Sequence, residues 1–226
     1  MPTLHPPMRN HPTCPAAGLR AFTLVELLTV IVIIGILAAI IIPTVGRVRE
    51  TASAAQCIGN LRSMGVAVRL YSEDNKGRTP RLTYTFIQDL WSYAYPNTTV
   101  SFSGEALPEQ LAGTMFECPL AHKDAVPFVT TKRSYGMNAA LDPSSNQAER
   151  ESRGILLSRV TQPSRAALIG DVRDASLFVI GTLNPRHNNK VNVCFVDGHA
   201  AAITITDELR AADAQANHVF WNGVGK

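Results

Sequence analysis

The sequence predicts an α+β protein with a clear division of labour: a long kinked N-terminal helix, membrane-spanning in its first half, packed on a small antiparallel β-sheet domain. Three observations predict it. From Leu27 to Gly46 no residue carries a charge, and twenty residues at a 1.5 Å rise span about the 30 Å hydrocarbon core of a bilayer. Apolar residues then keep recurring at helical spacing as far as Tyr71. Beyond Gly77 the pattern changes to short β-prone runs punctuated by proline and glycine.

The helix is expected from about Phe22 to about Tyr71. Its soluble half carries Val45, Val48, Ala52, Ala55, Ile58, Leu61, Val68 and Tyr71 as an apolar stripe, with Arg47, Arg49, Glu50, Arg62 and Arg69 mostly off it. Pro43 lacks an amide hydrogen and crowds the carbonyl of Ala39, so a bend or local opening is expected between them. Ser72 to Gly77 is rich in helix breakers and ends the helix. One acid, Glu26, stands just inside the apolar run. A carboxylate in hydrocarbon costs about 2.5–3.5 kcal/mol at the bilayer centre and less near the interface, so it calls for a cationic partner. Arg9 and Arg20 precede the run, which by the positive-inside rule places that end in the cytoplasm.

Read from Phe22, the order Phe-Thr-Leu-Val-Glu, then Gly35, then Pro43, resembles the N-terminus of type IV pilins and of the pseudopilins of type II secretion. The resemblance implies a basic leader, residues 1–21, removed by a prepilin peptidase that also N-methylates the new terminus. Cleavage falls between Ala21 and Phe22; the family usually has glycine before the cut, whereas here Gly18 lies three residues earlier. It further implies assembly through Phe22, Glu26, Gly35 and Pro43, with the new α-amine of Phe22 neutralised by Glu26 of a neighbouring subunit. Gly35 and Ala38-Ala39 allow close helix packing. The implied partners are the peptidase and N-methyltransferase, like subunits and minor pseudopilins, and an inner-membrane assembly platform. The implied location is single-pass in the cytoplasmic membrane, with a periplasmic C-terminal domain that later joins a filament. A secretory signal peptide has a shorter core with its cleavage site after it; a plain anchor leaves Glu26 unexplained.

The same family likeness continues through Asn60-Leu61-Arg62, Tyr71, Asp74, Gly77 and Pro80, which resemble major pseudopilins and a large group of bacterial pilin-like proteins. That group is named for a histidine, nine arbitrary residues and Asp-Gly. His187 and Asp197-Gly198 have this spacing, with Arg186 before the histidine and Ser134-Tyr135-Gly136-Met137-Asn138 as further agreement. The resulting organisation is a leader at 1–21, a transmembrane and assembly half-helix at 22–46, and a globular pilin-like domain at 47–226.

Within that domain, Thr85 to Tyr95 is a short helix with Phe86, Leu90 and Tyr93 on one face, ended by Pro96. Residues 97–133 are loops with at most a short strand. Ala166–Gly170 and Leu177–Ile180 read as strands, with Asp171 to Asp174 a charged turn between them. Val191–Val196 and Ala200–Thr206 flank Asp197-Gly198, a strong hairpin signal, because glycine accepts positive φ and aspartate tolerates it. Asp207 caps a short helix to Ala216, and Val219-Phe220-Trp221 packs back onto the domain.

Composition limits the function classes. Past residue 21 the chain holds 19 basic and 18 acidic residues, a balance that argues against nucleic acid as a main partner, which calls for a clustered basic surface. Cys14 leaves with the leader, so Cys57, Cys118 and Cys194 allow at most one bridge. Cys57 with Cys118 is the first pair to test, and Cys194, in an apolar run, is expected as a buried thiol. No CxxC pair is present, which argues against a zinc site made by cysteines. The structural reading of the C-terminal motif is that Asp197 makes a turn and His187 ties down the preceding loop. The alternative is a divalent metal in the C-terminal domain, held by His187, Asp197 and His199 with Asp171 and Asp174 as further candidates. Imidazoles plus a carboxylate suit zinc, whereas calcium takes six to eight oxygens. No catalytic constellation is present: no Gly-x-Ser-x-Gly elbow, HExxH, P-loop or Rossmann fingerprint. The chain is therefore expected to be no enzyme and to need no cofactor. The functional expectation is a type II secretion pseudopilus subunit or a related filament subunit. The alternative is a membrane-anchored ligand- or glycan-binding protein that does not assemble, using Tyr84, Trp91, Tyr93, Tyr95 or Trp221.

Overall fold

The computed structural model describes residues 23–83, 85–102, 111, 113–121, 134–142, 146–173, 177–211 and 218–224. Gly18, Ala21, Phe22, Tyr84 and Asp174 lie outside the described residues, as does the stretch expected to be helical past 211. The chain divides into two compact units, Met1–Gly46 and Arg47–Lys226, and one helix, α1 (Leu24–Asp74), contributes to both.

In the first unit α1 is helical without interruption through Pro43. Thr44 Oγ1 donates to the Ile40 carbonyl at 2.7 Å beside it. Every large apolar side chain from Leu24 to Ile42 is exposed, Leu24 at 79% and Ile42 at 72%. The helix is long and apolar enough to cross a membrane.

In the second unit, burial of α1 begins at Cys57 and continues through Leu61, Met64, Gly65, Ala67, Val68 and Ser72. This corrects the expected stripe. At about 100° per residue, a series stepped by three and four drifts around the helix, so Val48, Ala52 and Ala55 end up opposite Leu61 and Val68. Val48, Ala52 and Ala55 are exposed, while Leu61 and Val68 are in the core.

α2 (Phe86–Ala94) forms where the sequence places it and buries Phe86, Ile87, Leu90 and Trp91. The expected face held Tyr93 instead; Tyr93 is half-buried and its hydroxyl donates to Asp74 Oδ2 at 3.1 Å. α3 (Gln147–Arg153) is capped by Asn146, whose side chain accepts from the Glu149 amide at 2.7 Å.

The sheet holds β1 (Tyr135–Asn138), β2 (Ala167–Asp171), β3 (Leu177–Phe178), β4 (Val191–Phe195) and β5 (Ala200–Ile203), in the order β3-β1-β2-β4-β5. Three pairs are antiparallel. The β1·β3 pair is parallel, with Met137 opposite Leu177 and Asn138 opposite Phe178, so the sheet is mixed rather than antiparallel throughout. After β2 the chain crosses to the far side of β1 before forming β3, and arrives running in β1's direction.

Strand alternation gives the sheet two buried faces. Leu168, Cys194, Tyr135 and Met137 join the core built with Leu61, Met64 and Phe86. Val191, Val193 and Phe195 face the other way, with Phe178, Phe220 and Trp221. That second face is covered by α4 (Asp207–Arg210) and α5 (Val219–Asn222), whose contact includes a bond from Trp221 Nε1 to the Leu209 carbonyl at 3.0 Å. α4 is capped by Thr206, not Asp207: Thr206 has the extended backbone and accepts from Leu209 N, which puts Asp207 inside the first turn.

Candidate functional site

Two places hold the residues singled out by sequence. At the start of α1, Thr23 and Glu26 form a capping box. Thr23 Oγ1 accepts from the Glu26 amide at 3.2 Å, and Glu26 Oε2 accepts from both the amide and the hydroxyl of Thr23 at 2.9 Å. Each side chain thus meets an amide that the first helical turn leaves without a partner. The Thr-x-x-Glu spacing at 23–26 is the sequence signal for this box. Gly35 has open space around the position a Cβ would take, leaving it free for close approach by another helix.

The histidine and Asp-Gly of the C-terminal motif sit at opposite ends of β4. His187 opens a two-residue turn. Asn188 and Asn189 both have positive φ, 51° and 60°, and His187 and Lys190 exchange backbone bonds of 3.3 and 3.0 Å, the type I′ pattern that suits adjacent strands. At the far end, Gly198 N donates to Phe195 O at 2.9 Å and Phe195 N to His199 O at 2.8 Å. Gly198 has φ +94°, so this is the three-residue hairpin loop with glycine in its third place. The nine residues between His187 and Asp197 are therefore the Asn-Asn turn, Lys190, the five of β4 and Val196.

His187, Asp197 and His199 consequently do not converge. The five-residue strand, at about 3.3 Å per residue, keeps the two ends more than about 16 Å apart. Asp197 serves its own turn, accepting from His199 N at 3.0 Å and His199 Nδ1 at 2.5 Å, while its carbonyl accepts from Arg69 Nη1 on α1 at 3.4 Å. Burial pushes the Asp197 carboxyl up, but the backbone and ring N–H groups and the charge of His199 together hold it below the usual carboxylate range. The His199 ring stacks on Phe195, with centroids 4.3 Å apart.

His187 points instead into a buried polar cluster. Its Nε2 lies 3.4 Å from Asp171 Oδ2 and 3.5 Å from Cys118 Sγ, and Cys118 is bridged to Cys57 of α1. Asp171 is the last residue of β2, not part of a turn, and its Oδ2 also accepts from Asn192 N at 2.8 Å. Cys57, Cys118 and Asp171 are fully buried and His187 is 5% exposed. Arg186 Nη2 donates to the Val172 carbonyl beside them. The loop bearing Cys118 is held to α1 a second time, by Asn60 Nδ2 donating to Glu117 O at 2.9 Å. Cys194, the remaining described cysteine, is a buried thiol whose pKa burial pushes up to about 12.

Of the aromatics named for a glycan-binding surface, the two tryptophans are interior and Tyr93 and Tyr95 are half-buried. Trp221 is fully buried and Trp91 is 7% exposed; Trp91 packs against Tyr95, Phe102 and Phe116.

Comparison with known families adds one finding. Residues 20–42 match the prokaryotic N-terminal methylation motif. No curated protein and no solved structure matches the chain. The motif match, with the long apolar α1 on a small mixed sheet, supports a type IV pilin-like protein anchored by a single apolar helix.

Proposed function

We propose that this chain is a prepilin, processed between Ala21 and Phe22 and methylated at Phe22, that assembles through α1 into a type II secretion pseudopilus or a related type IV filament. The observation that carries the proposal is the methylation motif at 20–42 laid over an exposed apolar helix with one carboxylate, Glu26, in its first turn. Pairing Glu26 with the α-amine of a neighbouring Phe22 removes a costly charge from hydrocarbon and sets the register between subunits. A further support is the side of α1 turned away from the sheet, where Val48, Val66 and Leu70 are exposed at 61%, 59% and 44%. Ala52, Ala55 and Gly59 lie between them and are exposed too. This row of small and aliphatic residues fits the same helix of a second copy. The subunit is structural, not enzymatic, and its partners are the peptidase, like subunits, minor pseudopilins and a membrane assembly platform.

The first test is the mass of the N-terminal peptide from the native membrane. A chain starting at N-methylated Phe22 is expected. A terminus at Met1 or Pro2 makes α1 a permanent anchor, and a start beyond Pro43 makes the product a released domain. The capping box sharpens the test of Glu26. Glu26→Gln keeps a side-chain oxygen for the cap and removes the charge, whereas Glu26→Ala removes both. Both variants should insert and be cleaved, and both should fail to enter filaments; normal incorporation of Glu26→Gln alone would reduce Glu26 to a cap. Deletion that abolishes exoprotein secretion identifies the pseudopilus, and deletion that removes surface fibres identifies a pilus.

A further inference from the structure

The buried cluster at His187 has the donor set of a thiophilic metal site. The ligand atoms of Cys57, Cys118 and His187 all lie within 4.8 Å of one another, with every residue buried. A tetrahedral zinc ion with bonds of about 2.3 Å to sulfur and 2.0–2.2 Å to nitrogen and oxygen has S···N edges of about 3.6 Å and N···O edges of about 3.4 Å. The observed Cys118 Sγ to His187 Nε2 and His187 Nε2 to Asp171 Oδ2 separations are 3.5 and 3.4 Å. The S···S edge of such an ion is about 3.8 Å, so only an open disulfide admits it. Asp171 Oδ1 and His187 Nδ1 are buried and lack a hydrogen-bond partner among the described residues. Groups of that kind need an explanation, since a buried polar atom left without a partner keeps its full desolvation cost.

We propose that Cys57, Cys118 and His187 form a zinc-class metal site beside Asp171 in the dithiol state of the protein, in competition with the Cys57–Cys118 disulfide. A dithiol reductant passes two electrons and two protons to the bridge and is itself oxidised to a disulfide. Cys57 and Cys118 become thiols, and both thiol protons leave to solvent as the metal binds. Either closure, covalent or metallic, fastens the Cys118 loop to α1; the metal also takes in the turn before β4, through His187. The inference does not depend on filament assembly.

The test uses the full chain in detergent, oxidised or reduced with a dithiol, then equilibrated with Zn²⁺ and, for its spectrum, Co²⁺. The reduced chain is expected to retain one zinc per chain by mass spectrometry, and its cobalt form should show thiolate charge transfer with tetrahedral d–d bands. The oxidised chain should retain none, a control that needs no substitution. Loss of zinc in the reduced Cys57→Ser/Cys118→Ser and His187→Gln variants completes the expected result. If the reduced chain unfolds, refolding on zinc addition supports the site. A reduced chain that binds no metal, binds as well without Cys57 and Cys118, or stays unfolded with zinc overturns it.

Discussion

Asn138 joins three segments with one amide. Its Nδ2 donates to the carbonyls of Ala167 and Trp221, both at 2.7 Å, and its Oδ1 accepts from Ala140 N at 3.0 Å. Leucine fits the volume and supplies none of these bonds. Because each buried polar group left unmet costs about 1–3 kcal/mol, Asn138→Leu should lower stability by about 2–4 kcal/mol, read from the urea midpoint of the detergent-solubilised chain. Cys194 permits a second check at this scale. With its thiol buried and its pKa pushed up to about 12, it should resist alkylation at pH 8 in the folded chain and react once unfolded, followed by peptide mass. Its burial was legible in sequence because it sits in an apolar run. The neighbourhood of Cys118 and His187 was not, since the two are separated by 69 positions and only the packing of a loop against α1 brings them together. A CxxC spacing speaks only for cysteines that are neighbours in sequence and says nothing about a cluster assembled by packing.

At the scale of elements, the helix α1 and the β4–β5 hairpin meet at Gly65. A Cβ there would lie 2.8 Å from Cys194 Sγ and 3.3 Å from the Gly198 carbonyl, whereas one at Gly59 would meet nothing within 4 Å. Gly59→Ala should therefore raise stability by up to about 1 kcal/mol through helix propensity. Gly65→Val should lower it by about 1–3 kcal/mol by overpacking, both measured by urea unfolding. The hairpin turn has its own pH signature. A carboxyl held below its ordinary value stabilises the fold above the unfolded pKa, near 3.8 for Asp197. That contribution is lost as pH falls through the folded value. The unfolding midpoint should thus drop below about pH 4, and less so in Asp197→Asn. Elements with local signals were legible: the Asp-Gly hairpin, α2 before Pro96, and strands near 167 and 177. Those set by tertiary placement were not. The parallel β1·β3 pair depends on a crossing no residue announces, and the buried side of α1 starts at Cys57 because the domain packs only there.

At the scale of the whole molecule, the long apolar helix on a small α+β domain was legible because hydrophobic length and period are properties of the sequence itself. What the periodicity concealed is that α1 bears two apolar rows in its soluble half. One is buried by the domain through Leu61, Met64 and Val68; the other, through Val48, Val66 and Leu70, is exposed. A folded domain gains nothing from the second row, since exposed aliphatic side chains remain hydrated. An assembly of parallel copies gains its burial, at about 25 cal/mol per Å² of apolar area removed from water. The two rows can therefore be separated by substitution. Val66→Glu and Leu70→Glu, both on the exposed side, should leave the urea midpoint within about 0.5 kcal/mol of the parent, as exposed substitutions away from special features generally do. The same variants should insert and be processed, yet fail to enter filaments, because a carboxylate buried between helices without a cation is strongly disfavoured. Thr204→Glu, also exposed but on the sheet side of the domain, should assemble. Normal assembly of Val66→Glu would remove this row of α1 from the subunit interface, while an unfolded Val66→Glu would show that the row belongs to the core.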